Sequence, residues 1–144
     1  MTPEQKQHLK DTWRQVVPIA DTAMTLFYDR LFTLDPALKP MFANADMAQQ
    51  RNKLAQALGR VVGSLDDLDA IVPVLQDLGR RHTAYGVEDR HYDTVGAALI
   101  WTLEQGLGEA LTDDARTAWV DAYGLVAGVM RGAGAEAAPI AARA

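Results

Sequence analysis

His82, Tyr28 and Gln50 are polar side chains that the pattern of this chain sets in line with apolar helical stripes, which makes them its candidates for chemistry. His82 follows Leu75 and Leu78 at helical spacing. An imidazole on such a face either donates to a backbone carbonyl as a core histidine or holds a metal through its other nitrogen. The second role needs an apolar slot opposite and one ligand position left open for a gas or substrate. Tyr28 sits between Phe27 and Leu31 on a core stripe. Its hydroxyl either finds a partner in the core or points into a functional cavity. Gln50 stands one turn before Leu54, so it is either a surface glutamine at a helix start or a polar group looking into the same cavity. Phe27, Tyr28, Phe32 and Phe42 follow closely along the chain and form either ordinary core or the wall of a flat hydrophobic cofactor. His8, in a polar stretch, and His91, between Arg90 and Tyr92, read as surface residues.

Other chemistries have no support in the pattern. The chain has no cysteine, which removes disulfides, thiolate metal sites, iron–sulfur clusters and thiol nucleophiles together. It carries no phosphate-binding glycine loop, no serine nucleophile elbow, no HExxH and no calcium loop. Its carboxylates gather at helix caps and loops, where they read as solvated termini.

The elements that must hold these residues are helical nearly throughout. Thr2-Pro3-Glu4-Gln5 supplies a cap, a first-turn proline and a glutamine for a capping box, ahead of the stripe Leu9, Trp13, Val16 and Val17. Pro18 predicts a bend. A second helix carries Met24, Phe27, Tyr28 and Leu31, and Asp35-Pro36 closes it and opens a short turn to Phe42. After a loop, Asp46 caps a helix with Leu54, Ala57, Leu58, Val61, Val62 and Leu65 on its stripe. Ile71 to Ala84 is the next helix, with Leu75, Leu78 and His82 on one face and Gly86 as its stop. Tyr92 to Leu107 is another, ended by Gly108. Thr112 caps the last, whose stripe is Trp119, Ala122, Val126 and Met130. No stretch alternates like a strand, so the expected fold class is all-α. The expected domain spans residues 1–131, with 132–144 as a flexible tail rich in alanine and glycine.

Composition narrows the function. The 144 residues suffice for one domain with its own core, at 49% apolar and 23% charged. A net charge of −5 and the lack of a basic stripe argue against a nucleic-acid partner. The polar opening MTPEQKQHLKDTW and the absence of a long apolar run lead us to expect a cytoplasmic protein with no membrane span.

Taken in order, several segments resemble single-domain bacterial haemoglobins and the globin domain of flavohaemoglobins. LFYDRLF and DPALKPMF resemble the family's second helix and the turn after it, with Pro36 and Phe42 in the places of its proline and haem-packing phenylalanine. QRNKL resembles the distal helix, with Gln50 at the distal polar position and Leu54 one turn later. LGRRHTAYGVEDRHY resembles the proximal helix and its exit, with His82 on the proximal histidine and Tyr92 on the family's tyrosine. AWVDAYGLVAGVM resembles the last helix, and the likeness covers about residues 3 to 131.

The resemblance implies a globin fold around haem b, iron protoporphyrin IX. It implies His82 as the iron ligand, its second nitrogen held by the Leu78 carbonyl, and Phe42, Leu54, Leu78, Val87 and Tyr92 packed against the macrocycle. Tyr28 and Gln50, beside Leu54, would meet dioxygen or another diatomic gas such as NO or CO, and Arg80, Arg81 or Lys53 would meet the propionates. The implied function is reversible oxygen binding for storage, scavenging or delivery. Nitric oxide dioxygenation with a separate reductase, weak peroxidase activity and gas sensing stay open beside it, as do monomer and homodimer. A flavin or nicotinamide domain is not expected. One departure stands out. Where the family often has a glutamate on its last helix, bonding toward the proximal histidine and tyrosine, this chain has Gly134, with Glu136 two residues on. That implies a weaker peroxidase-like push on the iron.

Overall fold

Most of the α-helices begin at a side-chain cap, although those that open at Ala20 and Leu68 do not. Thr2 accepts from the Gln5 amide while the Gln5 side chain returns the bond, and α1 (Pro3–Val16) follows. Pro18 breaks the chain into a short 3-10 turn, Val17–Ile19, before α2 (Ala20–Leu34). Val17, expected on the first apolar stripe, is exposed because this turn carries it off α1. Asp35 caps the 3-10 segment Pro36–Phe42 through the Ala37 amide at 3.2 Å. Asp46 accepts from Ala48 and Gln49 and starts α3 (Met47–Gly63). Then come α4 (Leu68–Ala84), α5 (Asp89–Leu107) and α6 (Asp113–Ala137). Gly108 ends α5 at a φ of 55°, and Thr112 accepts from the Ala115 amide at the start of α6.

The computed structural model describes residues 1–137. Among these, six α-helices and no strands form the all-α architecture the periodicity predicts. The boundary expected at residue 131 falls inside α6. α6 runs on to Ala137, and Ala133 and Gly134 are buried. Small residues there look poor in packing groups, yet they let another helix approach closely. The remainder of the expected tail, residues 138–144, and the side chain of Glu136 lie outside the described residues.

α4 lies along α6, α2 along α5, and α1 bridges α6 and α3. The core divides in two. A large cluster joins Leu9, Met24, Phe27, Tyr28, Leu31, Leu99, Leu103 and Trp119 across α1, α2, α5 and α6. A smaller one holds Ile71, Leu75, Tyr92, Ala127 and Met130 where α4, α5 and α6 meet. Trp119 donates its indole N–H to Thr12 at 2.8 Å inside the large cluster, so its buried polar end is satisfied.

Candidate functional site

Half-buried apolar side chains flank both clusters. Phe42, Leu54 and Val95 pack on the large cluster, whereas Val61, Leu78 and Val87 pack on the small one. α4 contributes two parallel ridges at i, i+4 spacing. Ile71, Leu75 and Gly79 are buried and form the ridge nearest α6. Val74, Leu78 and His82 form the neighbouring ridge and stay half-buried. Leu75 lies within the small cluster and Leu78 packs half-buried against it.

His82 Nδ1 lies 2.6 Å from the Leu78 carbonyl oxygen one turn back. A carbonyl only accepts, so Nδ1 carries a proton and donates. In the neutral ring that leaves Nε2 with a free lone pair and a fixed direction. Just beyond, the exit of α4 satisfies its last carbonyls. The Val87 amide donates to His82 O at 2.9 Å and the Gly86 amide to Thr83 O at 3.1 Å, with Gly86 at a φ of 92°. This pair of bonds is the Schellman motif, and it holds Val87 beside the turn that carries the histidine.

Tyr92 lies in the small cluster, 7% exposed. Its hydroxyl is buried with no hydrogen-bond partner among the described residues. Burial raises its pKa, and the Arg131 guanidinium, 5.0 Å over the ring, partly offsets the rise. The Tyr123 hydroxyl donates to the Tyr92 carbonyl at 2.6 Å and ties α6 to α5 at that turn. Gly96 makes room for this, since a methyl there would stand 2.8 Å from the Tyr123 ring.

On the other side, Tyr28 is held by rings. Phe27 meets it edge-on at 5.0 Å and Phe42 at 5.7 Å, Phe32 is tilted at 6.1 Å, and Phe32 and Phe42 meet edge-on at 5.4 Å. Burial pushes the Tyr28 hydroxyl up to about 12, with no charged neighbour or hydrogen bond contributing. Gln50 is half-buried in the first turn of α3. The next residue, Arg51, pairs with Asp21 of α2 at 3.0 Å and fixes that turn against the helix bearing Tyr28.

The globin family model matches residues 25–130. The chain belongs to the globin family. Among its relatives are the flavohemoprotein of Bacillus subtilis, 34% identical over 79% of this chain and 30% of the relative, and that of Chromobacterium violaceum, 34% identical over 92% and 33%. The chain thus spans about a third of the length of these curated relatives. A solved bacterial globin from Campylobacter jejuni superposes with a TM-score of 0.83 at 26% identity, covering 94% of this chain and 97% of that one. Membership in the family implies haem and a diatomic gas ligand.

The residues of this globin fit such a group. Among its described residues no cluster of three His, Asp or Glu side chains could hold a metal ion. His82 offers one free nitrogen, Tyr92 an orphaned buried hydroxyl, and the two clusters half-buried apolar faces. No helix of the described residues is long and apolar enough to cross a membrane. Arg80, Arg81 and Lys53 are all exposed, and Arg81 pairs with Asp77 at 2.9 Å.

One sequence expectation is corrected here. His91 is buried, not superficial. It occupies the third position of α5 and accepts the Glu88 amide on Nδ1 at 2.9 Å as the reciprocal partner of a capping box. Its Nε2 faces Asp35 and Glu88, each at 3.9 Å. The Glu88-to-His91 spacing of three at a helix start was the available signal. The Arg51–Asp21 pair and the Tyr123–Tyr92 bond join segments distant in sequence and had none.

Proposed function

We propose that this globin binds dioxygen reversibly on haem b, with His82 as the iron ligand and Tyr28 and Gln50 facing the gas. The observation that carries the reading is the Nδ1–Leu78 bond, which leaves Nε2 free and oriented on a half-buried ridge. Haem supplies an iron centre at which a diatomic gas can bind. The protein's own work is then to hold and shield. Phe42 and Leu54 on one side, and Leu78, Val87 and Tyr92 on the other, exclude water from a flat apolar group. Lys53 and Arg80 are exposed cations able to meet its propionates. Tyr28 keeps its proton at all physiological pH and donates to the gas, while Gln50 serves as a second donor or as the tyrosine's partner. We assign the work to the cytoplasm and to a monomer or homodimer.

The flavohemoprotein relatives favour a second reading, nitric oxide dioxygenation, which converts NO and dioxygen to nitrate with one electron from a separate reductase. Sustained nitrate production with a cellular reductase separates the two. The primary test is a spectrum. Purified protein should show a Soret band that His82→Ala abolishes and that a small exogenous imidazole restores. A protein that stays colourless when haem is added, or a band indifferent to His82→Ala, would overturn the proposal.

A further inference from the structure

The Leu78 bond fixes the His82 ring relative to α4, but both partners belong to α4. It cannot set where α4 itself stands. The ridge beside His82 does that. At Gly79 a methyl group would overlap the Met130 carbonyl oxygen and stand 2.7 Å from that residue's carbonyl carbon and Cα. These are backbone atoms and cannot swing aside. One turn further on, a methyl at Gly134 would overlap Thr83 Oγ1 and stand 3.1 Å from the Gly79 carbonyl oxygen. The contacts keep step, 79 over 130 and 83 over 134: the Gly79 backbone lies against the α6 turn from Met130 to Gly134, and Thr83 meets Gly134 through its side chain. The α4 turn from Gly79 to Thr83 contains His82. Helices in contact usually lie about 8–10 Å apart, at a distance set by the side chains between them, and here no side chain intervenes at Gly79. A glycine inside a helix costs about 1 kcal/mol relative to alanine, so Gly79 and Gly134 run against helix propensity for the sake of this approach.

We infer that the Gly79–Gly134 seam positions His82, making both glycines determinants of the iron–histidine geometry. The inference rests on His82 being the haem ligand. Packed interiors leave little slack, so a methyl at Gly79 displaces α4 with its histidine instead of being absorbed locally. Gly134→Ala meets mainly a hydroxyl that can rotate, and its effect is the smaller.

The test uses the haem-loaded protein and reads the iron–histidine stretching band of the ferrous form, with the rate of haem loss beside it. Gly79→Ala should shift the band and speed haem loss about tenfold, as losses of outer-sphere support do. Gly134→Ala should shift it less, and Thr83→Ala in the Gly134→Ala background should return it toward wild type. A merely structural seam would lower the melting temperature and leave the band in place. An unmoved band in folded Gly134→Ala and Gly79→Ala, or a shift that Thr83→Ala does not relieve, overturns the inference. Should Gly79→Ala fail to fold, the Gly134→Ala and Thr83→Ala pair decides. A wild-type protein with no iron–histidine band, or one unaffected by His82→Ala, instead overturns the ligand assignment.

Discussion

A phenol held among Phe27, Phe32 and Phe42, with a pKa near 12 raised by burial alone, remains a hydrogen-bond donor at neutral pH. A donor to a partly charged ligand in a dry site is worth about 1–3 kcal/mol. Tyr28→Phe should therefore speed oxygen dissociation about ten- to a hundredfold in stopped flow, and an unchanged rate would transfer the role to Gln50. Tyr92 makes the opposite case. Its buried hydroxyl lacks a partner among the described residues, and such a group destabilises the fold by about 1–3 kcal/mol. Tyr92→Phe should thus raise the urea midpoint of the haem-free protein, and a lower midpoint would mean that the hydroxyl has a partner. Tyr28 was legible in the sequence because it sits on an apolar stripe at helical spacing, and Tyr92 because LGRRHTAYGVEDRHY resembles the family's proximal helix and its exit. The state of their hydroxyls was not, since it depends on neighbours such as Phe42 and Arg131 that only the fold brings near.

The helices were legible for a different reason. Thr2, Asp35, Asp46 and Thr112 are local signals, and each acts on amides within three residues of itself. Gly86 is another, and it bears most directly on the site. At a φ of 92° it closes α4, and Val87 can then donate back to the His82 carbonyl. Gly86→Ala forces a Cβ into the left-handed region, which should destabilise the protein by about 1–2 kcal/mol in urea titration, with Gly86→Asn milder. A methyl at Gly86 meets nothing within 4 Å, so the loss would report backbone strain and not overlap. Gly79 shows what local rules miss. Its sign in the sequence was a glycine in mid-helix, which marks a close approach without naming the partner. The partner, Met130, lies about fifty residues away on α6, and the same seam explains why residues 132–134 read as tail yet pack as helix.

For the whole molecule, the apolar pattern foretold a core but not its division. A stripe does not say which of its residues a neighbouring helix buries, and Leu75 is buried where Leu78, one turn on, stays half-buried. The same burial makes stability depend on alkaline pH. Tyr28, Tyr92 and Tyr123 all have pKa values raised above the ordinary 10.0, by burial first in each case. For a raised acid the folded state keeps its proton longer than the unfolded chain does. Below pH 10 both states are protonated and the stabilisation is complete. As the pH climbs through 10 toward 12, the unfolded chain ionises first, protonated folded Tyr28 gains no matching benefit, and stability falls. One such group contributes a slope of at most about 1.4 kcal/mol per pH unit. The haem-free protein should therefore hold a constant difference in unfolding free energy from Tyr28→Phe between pH 7 and 9, and that difference should shift in the variant's favour above pH 10. Taking the difference cancels lysine and arginine titration common to both proteins. A difference that stays flat to pH 12 would mean that the Tyr28 hydroxyl is solvated, and the donor assigned to the distal side would have to be sought at Gln50.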